Sequence, residues 1–303
     1  MTIRLSRSDY KRANMMGSPV EMHFTTARDL LEHLSPLNSF WDDGAHIFRG
    51  QASDQFKLTP AVCRRGPGSF ANGSPRKIFS DTVGRQVHYE LEVLSRFLEG
   101  CDRSGLAVPG YTKEIKRRLA RDRDMFLSAA IPWPQDDMHE IMAVAQHYDV
   151  PTRLLDWTER SLVACYFAAS SANFEVNSHF DRIAIWALNT RHSKDWQSVS
   201  IIRTPGGTSG NQAAQSGLFT THKVKGSRFY DPYQPEALEE VDEIYGESGG
   251  VDTLFKMTLP VTEAHKLLEL CSKLGIEAST LFPGYHGVAK SVRDSPIKSA
   301  QAI

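Results

Sequence analysis

No stretch of this 303-residue chain spells G-x-x-x-x-G-K-S/T, G-x-G-x-x-G or H-E-x-x-H. These absences disfavour P-loop phosphotransfer, Rossmann hydride transfer and zincin proteolysis. Charge of one sign is also missing. The formal net charge of −1 supplies no global basic field for nonspecific nucleic-acid binding, although a local patch is still open. The four cysteines (Cys63, Cys101, Cys165, Cys271) are scattered and form no C-x-x-C pair, which argues against a structural zinc site. Reduced thiols in a cytoplasmic setting are the expectation, with Cys165 a small core residue. The N-terminus carries no apolar signal core, and no run approaches about 18 apolar residues, so neither secretion nor a membrane span is expected.

What is present is an ordinary globular composition, 41% apolar and 23% charged, on a chain long enough for a sizeable core. The first half reads as helical. Thr25 or Thr26 caps a helix with Leu30, Leu31 and Leu34 on one face, ended by Pro36 and Asn38. A turn over 40–44 then leads into a short strand from His46 to Gly50. Residues 66–76 have loop composition. A long helix over 81–99 carries Val87, Leu91, Leu94 and Leu98 on its buried stripe. Two more helices follow, over 112–130 and 138–148, the second closed by Pro151. Asp156, three residues before Glu159, reads as the cap of a helix carrying Leu162, Val163, Tyr166 and Phe167. The second half reads as strands over 182–188, 199–203 and 251–257, with a glycine loop at 206–210. A helix after Pro260 turns Leu267, Leu268 and Cys271 inward and stops before Gly275. The fold class is therefore α+β, a helix-rich first half packed on a twisted, mostly antiparallel sheet. One domain over 21–293 is expected, with flexible termini at 1–20 and 294–303.

Two separated motifs set charged or hydrogen-bonding groups in apolar frames: His46-Ile47-Phe48-Arg49-Gly50-Gln51 and Ala145-Gln146-His147-Tyr148-Asp149-Val150-Pro151-Thr152-Arg153-Leu154-Leu155-Asp156-Trp157-Thr158. A guanidinium in such a frame is costly to bury unless an anion answers it, and it matches phosphate or carboxylate in two-pronged fashion. For Arg49 two readings stand: an anion-binding group, with Gly50 admitting a ligand or another backbone, or a salt bridge to Asp42 or Asp43. His147 is either a general acid or base or a hydrogen-bonded core residue. Arg153 either joins Arg49 or pairs with Asp156. Trp157 belongs to the core. Gln212, Gln215, Gly217, Phe219, Thr220, Thr221 and His222 are either a nucleoside-recognising group or a polar turn feeding a strand. Glu277 is either a surface residue at a strand start or the well-placed carboxylate of the C-terminal half. The basic run from Lys113 to Arg123, diluted by Glu114, Asp122 and Asp124, reads as a solvated helical face or, in the minority reading, a nucleic-acid groove.

These motifs resemble the FRG domain family, which takes its name from Phe-Arg-Gly. The resemblance is carried by Phe48-Arg49-Gly50-Gln51, Leu58-Thr59-Pro60 with Arg64, the helix holding Glu90 and Phe97, and the run from Ala145 to Thr158. Ala164 with Phe167-Ala168, Gln215 to Thr220, and Gly275-Ile276 with Leu281-Phe282-Pro283 extend it over roughly residues 25–290. After Leu-Phe-Pro the family often has an acidic residue, where this chain has Gly284-Tyr285. The resemblance implies a single compact domain of toxin or antiphage-defence type and no settled activity. A weaker analogy reaches ADP-ribosyltransferases, in which an early-strand arginine grips NAD and a late glutamate stabilises the sugar cation. It implies Arg49 and Glu277 as catalytic residues, to which the general acid or base reading of His147 adds a third. It implies Arg49, Gly50, Gln51, Tyr148, Arg153, Gln215, Phe219 and Thr220 as the NAD-binding set, with Glu247 or Glu243 as substitutes for Glu277. The resulting expectation is an NAD-dependent transferase or glycohydrolase, using no metal, with a macromolecular acceptor, an antitoxin partner and no membrane. The alternatives are a nucleic-acid-binding or nuclease-type effector, or a non-catalytic ligand sensor.

Overall fold

The computed structural model describes residues 17–42, 45–64, 81–121, 132–174, 180–204, 210–224, 230–245 and 253–294. The expected loop at 66–76, the glycine loop at 206–210 and the C-terminal tail beyond 294 fall largely or wholly outside them. Seven strands form one sheet among the described residues: β1 (Val20–His23), β2 (His46–Gln51), β3 (Leu154–Thr158), β4 (Arg182–Asn189), β5 (Val199–Ile202), β6 (Gly217–His222) and β7 (Leu254–Pro260). Their spatial order is β1-β7-β4-β2-β3-β6-β5. Only β1 and β7 run parallel; every other neighbouring pair is antiparallel. The α+β class expected from the sequence is the class found.

Helices α1 (Ala27–His33), α2 (Val83–Arg103), α3 (Lys113–Arg121), α4 (His139–His147) and α5 (Ser161–Phe174) alternate with the early strands. After β5 come α6 (Gly210–Gln215), α7 (Ala264–Lys273), α8 (Ala278–Leu281) and α9 (Tyr285–Asp294). The Thr26 hydroxyl accepts the Asp29 amide and caps α1, as its position predicts. The helix stops at His33, short of Pro36 and Asn38. The Asn38 side chain and the Trp41 indole N–H both donate to the His33 carbonyl there.

β4 is buried along its central six residues, because both faces of the sheet are covered. On one face α5 lies against β2. This helix is apolar nearly all round, the pattern of a buried helix. Its Ala164 and Ala168 leave room for close approach, and Gly50 fills it. A Cβ at position 50 would stand 2.1 Å from the Ala164 carbonyl oxygen and 2.5 Å from the Ala168 amide nitrogen. The glycine of the Phe-Arg-Gly motif therefore admits a helix backbone rather than a ligand. On the other face Ile47, Leu155, Trp157 and Trp186 meet Leu58, Leu238 and Ile244. A third cluster joins α2 and α4 to Leu154, Phe219 and Trp133.

Several expectations are corrected. Asp156 does not cap a helix. It lies inside β3, with Leu155 and Trp157 turned to one face, and α5 begins only at Ser161. The Thr158 hydroxyl accepts the Arg160 amide and turns the chain from strand to helix. The spacing of Asp156 and Glu159 mimics a capping box, but burial of Leu155 and Trp157 in the sheet overrides it. Gly217–His222 is a full strand rather than a turn feeding one, and Val20–His23 adds an edge strand where the polar N-terminal stretch ends. The strand expected at 251–257 runs over Leu254–Pro260. The described part of the helix expected at 112–130 covers Lys113–Arg121, and residues 122–131 fall outside the described set.

Gly50→Ala should destabilise the fold by about 1–3 kcal/mol or more, because the obstructing atoms belong to helix backbone that cannot rotate away. Denaturant unfolding of the full chain measures it. His33, ringed by Phe24, Phe40 and Trp41 at 5.2, 5.2 and 5.5 Å, has its pKa lowered by burial from 6.5 to about 4. The unfolded chain therefore binds the extra proton first as pH falls. Stability should be complete above about pH 6.5 and decline towards pH 4, by up to roughly 3 kcal/mol. Unfolding at pH 7 and pH 5 should show a fall that His33→Phe flattens.

Candidate functional site

Strand β2 delivers the first group. Residues alternate along it, so Phe48 and Gly50 face α5 while Ile47, Arg49 and Gln51 face the opposite side. Opposite Arg49 across β4 is Trp186. The Trp186 indole N–H donates to Gln51 Oε1 at 2.7 Å, which commits Gln51 to the sheet. On its other side β2 meets β3 through a single residue pair, Phe48 with Thr158, and beyond that pair no ladder joins them. Arg49 answers the parting of the strands. Its Nη1 donates to the Asp156 carbonyl oxygen at 2.7 Å, in a place where a strand amide would otherwise donate.

The same Nη1 lies 3.5 Å from Asp156 Oδ2. The Arg49 side chain is only 13% exposed, whereas that of Asp156 is 63% exposed. Arg49 Nε is buried without a hydrogen-bond partner. Asp156 Oδ1 accepts from Gln146 Nε2 at 2.7 Å, and Gln146 Oε1 accepts from the Thr152 hydroxyl. The last turn of α4 and the entry to β3 thus hold one exposed carboxylate in place. Arg64 completes the group. It is an exposed residue whose head group lies against protein, its Nε donating to the Thr59 carbonyl at 3.0 Å. Burial, and then the charge of Arg49, lower its pKa, and Asp156 opposes them. Two guanidiniums therefore share one carboxylate, and the cluster carries net positive charge.

Arg153 is placed elsewhere. It is buried, and its guanidinium forms a two-pronged pair with Glu90: Nε to Oε2 at 2.9 Å, and Nη2 to Oε1. The Trp133 indole N–H and Gln86 Nε2 also donate to Glu90, each at 2.8 Å. Burial opposes the charge on Arg153, but Glu90 outweighs it and holds the pKa well above the ordinary arginine value. The nearby Cys63 thiol is pushed up by burial, so this is an inert thiol. A cavity of about 10 Å³ between Glu90, Leu94, Trp133, Met142 and Arg153 has room for a water molecule and not for a nucleotide. The expected union of Arg49 and Arg153 in one anion cradle is thus replaced by two centres. Arg153 is answered by Glu90, not by Asp156, and Arg49 by Asp156, not by Asp42.

The remaining candidates divide. His147 and Tyr148 are exposed at the end of α4, their rings edge to face at 5.0 Å, so His147 is not a core histidine. Thr220 is buried and accepts the Trp157 indole N–H at 2.9 Å, and Phe219 is buried in the helical cluster. Gln215 donates to the Leu281 carbonyl at 3.1 Å, and its own carbonyl accepts from Thr158. These three build the fold around β6. Glu277 stands at the head of α8 rather than at a strand start. Its carboxylate accepts from Ser279 Oγ, and Ala278 and Leu281 beside it pack on the α5 face. Arg49 leaves the sheet on the other face, and no hydrogen bond or ion pair joins it to Glu277. Glu243 caps the β5 entry through the Ser198 and Val199 amides, and Glu247 falls outside the described residues. On α3 the basic run is met by acids, Lys116 by Asp102, Arg117 by Glu114 and Arg118 by Asp137.

Sequence reasoning missed Asp156 as a site member, because its spacing to Glu159 imitates a helix cap. It also left Glu90, Arg64, Gln146 and Thr152 without roles. The one signal for them is that all lie in the motifs quoted above.

Glu90→Ala or Arg153→Ala should each cost about 3–5 kcal/mol, since either leaves a buried charge unanswered. Chemical unfolding checks this, and the two losses should be far from additive in the double variant.

No curated protein and no solved structure matches the chain. The model of the FRG domain matches residues 44–177. Both arginine centres lie wholly inside that span, and Gln215, Phe219, Thr220 and Glu277 lie beyond it. Over residues 44–177 the chain is similar to the FRG domain family.

Proposed function

We propose that the Arg49 centre binds a nucleotide-type anion, and that the reaction it serves is cleavage or transfer at the nicotinamide–ribose bond of NAD. The observation that carries this reading is the junction of β2 and β3. There a nearly buried guanidinium with an unpartnered Nε stands beside Arg64 and an exposed carboxylate. Guanidiniums suit the pyrophosphate, and a nearby carboxylate favours the oxocarbenium charge that develops as nicotinamide leaves. The C–N bond breaks with its electron pair departing on neutral nicotinamide. Water or an acceptor group then bonds to the anomeric carbon and gives up a proton. Asp156, the carboxylate in contact with Arg49, takes the part first assigned to Glu277. The effector role in a toxin or antiphage system, with an antitoxin and a macromolecular acceptor, belongs to the same proposal, as does the cytoplasmic setting.

The nuclease reading is weaker, because acids meet Lys116, Arg117 and Arg118 of α3 and no group of three or more metal-ligating side chains occurs among the described residues. No helix of the described residues is long and apolar enough to cross a membrane. A non-catalytic ligand sensor is the remaining alternative for the same anion site.

Incubating the full chain with NAD should release nicotinamide. Arg49→Ala should lower kcat/KM by roughly tenfold or more, mostly through KM, as expected for lost charge-assisted contacts to phosphate. Glu277→Gln should leave release essentially unchanged. Thermal stabilisation by NAD without release would instead support the sensor.

A further inference from the structure

Asp156 is held more firmly than its exposure explains. An exposed ion pair contributes little, with a median of about 0–1 kcal/mol. Aspartate is also disfavoured in the middle of a strand. If Asp156 only answered Arg49, the Gln146 and Thr152 bonds would be superfluous. Instead Gln146 Nε2 fixes one carboxylate oxygen, and the buried Thr152 hydroxyl fixes the orientation of the Gln146 amide. Thr152 also accepts the Leu154 amide at 3.1 Å, so the chain of bonds ends in rigid backbone. An ionised carboxylate offers about four acceptor positions. Gln146 occupies one on Oδ1 and Arg49 approaches Oδ2 at 3.5 Å, which leaves about half of that capacity facing solvent. A preoriented acceptor beside cations matches paired hydroxyl donors, which neither phosphate nor a cationic ligand would present in that place.

We infer that Asp156 is the hydroxyl-recognising half of the Arg49 site, positioned by Gln146 and Thr152, and that the ligand carries a phosphate close to a vicinal diol. The phosphate meets Arg49 and Arg64, and the diol donates to the outward-facing lone pairs of Asp156. This deepens the anion-site reading above and depends on that site, but not on the NAD reaction.

Isothermal titration of the full chain with ADP and with 2′,3′-dideoxy-ADP isolates the diol. ADP should bind about tenfold tighter, the scale of hydrogen bonds to a charged group. Asp156→Asn should tighten dideoxy-ADP, by removing a like charge, and erase most of the preference. Gln146→Ala should shrink the preference while leaving dideoxy-ADP binding in place. Arg49→Ala should weaken both ligands together. Equal binding of the two ligands by the unaltered protein, binding of neither, or a preference that survives Asp156→Asn would overturn the inference. Loss of the NAD reading is seen separately, as absent nicotinamide release with the diol preference intact.

Discussion

The buried pair of Glu90 and Arg153 is the interaction from which the rest of the site follows. Glu90 comes from α2, Arg153 from the segment entering β3, and Trp133 and Gln86 complete the carboxylate's bonds. Sixty-three residues separate the two charges along the chain. Their pairing fixes the end of α4, the Pro151 turn and the start of β3 as one unit. Thr152, immediately before Arg153, is thereby placed to orient Gln146, which in turn holds Asp156. The buried ion pair is not where a ligand would meet the protein, since it is fully answered and almost without free space. It sets the geometry of the exposed centre beside it.

The second constraint is steric. Gly50 lets β2 lie directly on α5, which leaves Arg49 on the opposite face at the point where β2 and β3 separate. The carbonyl of Asp156 loses strand pairing there and takes Arg49 instead. Arg49 therefore makes a hydrogen bond to the backbone and an ion pair to the side chain of one residue, and is held against the sheet while its Nε lacks a partner. Glycine and arginine in the motif act together, one through packing and the other through hydrogen bonding, although they point to opposite faces.

Much of the architecture was legible along the chain. The stripe of Val87, Leu91, Leu94 and Leu98 announced α2, Thr26 announced the start of α1, and the apolar run of Ile183 to Leu188 announced β4. These signals are local, because periodic burial and capping depend on residues a few positions apart. The failures came where local signals compete. Asp156 satisfies a helix-capping pattern, yet Leu155 and Trp157 gain more by burial in the sheet. Gly217–His222 carries polar residues, yet Thr220 and Thr221 are satisfied inside it by Trp157 and the Arg153 carbonyl.

By itself the sequence determined that two arginines occupy apolar frames, that each needs an anion, and that the fold mixes helices with a mostly antiparallel sheet. Burying a guanidinium unpaired is too costly for any other reading of those frames. Only the tertiary structure decided which anion answers which arginine. Partner choice is a matter of distance in space, and Glu90, 63 residues before Arg153, and Asp156, 107 residues after Arg49, reach their partners only once the helices have closed on the sheet. The same closure packed α8, with Glu277 at its head, on the α5 face, while alternation along β2 turned Arg49 to the other.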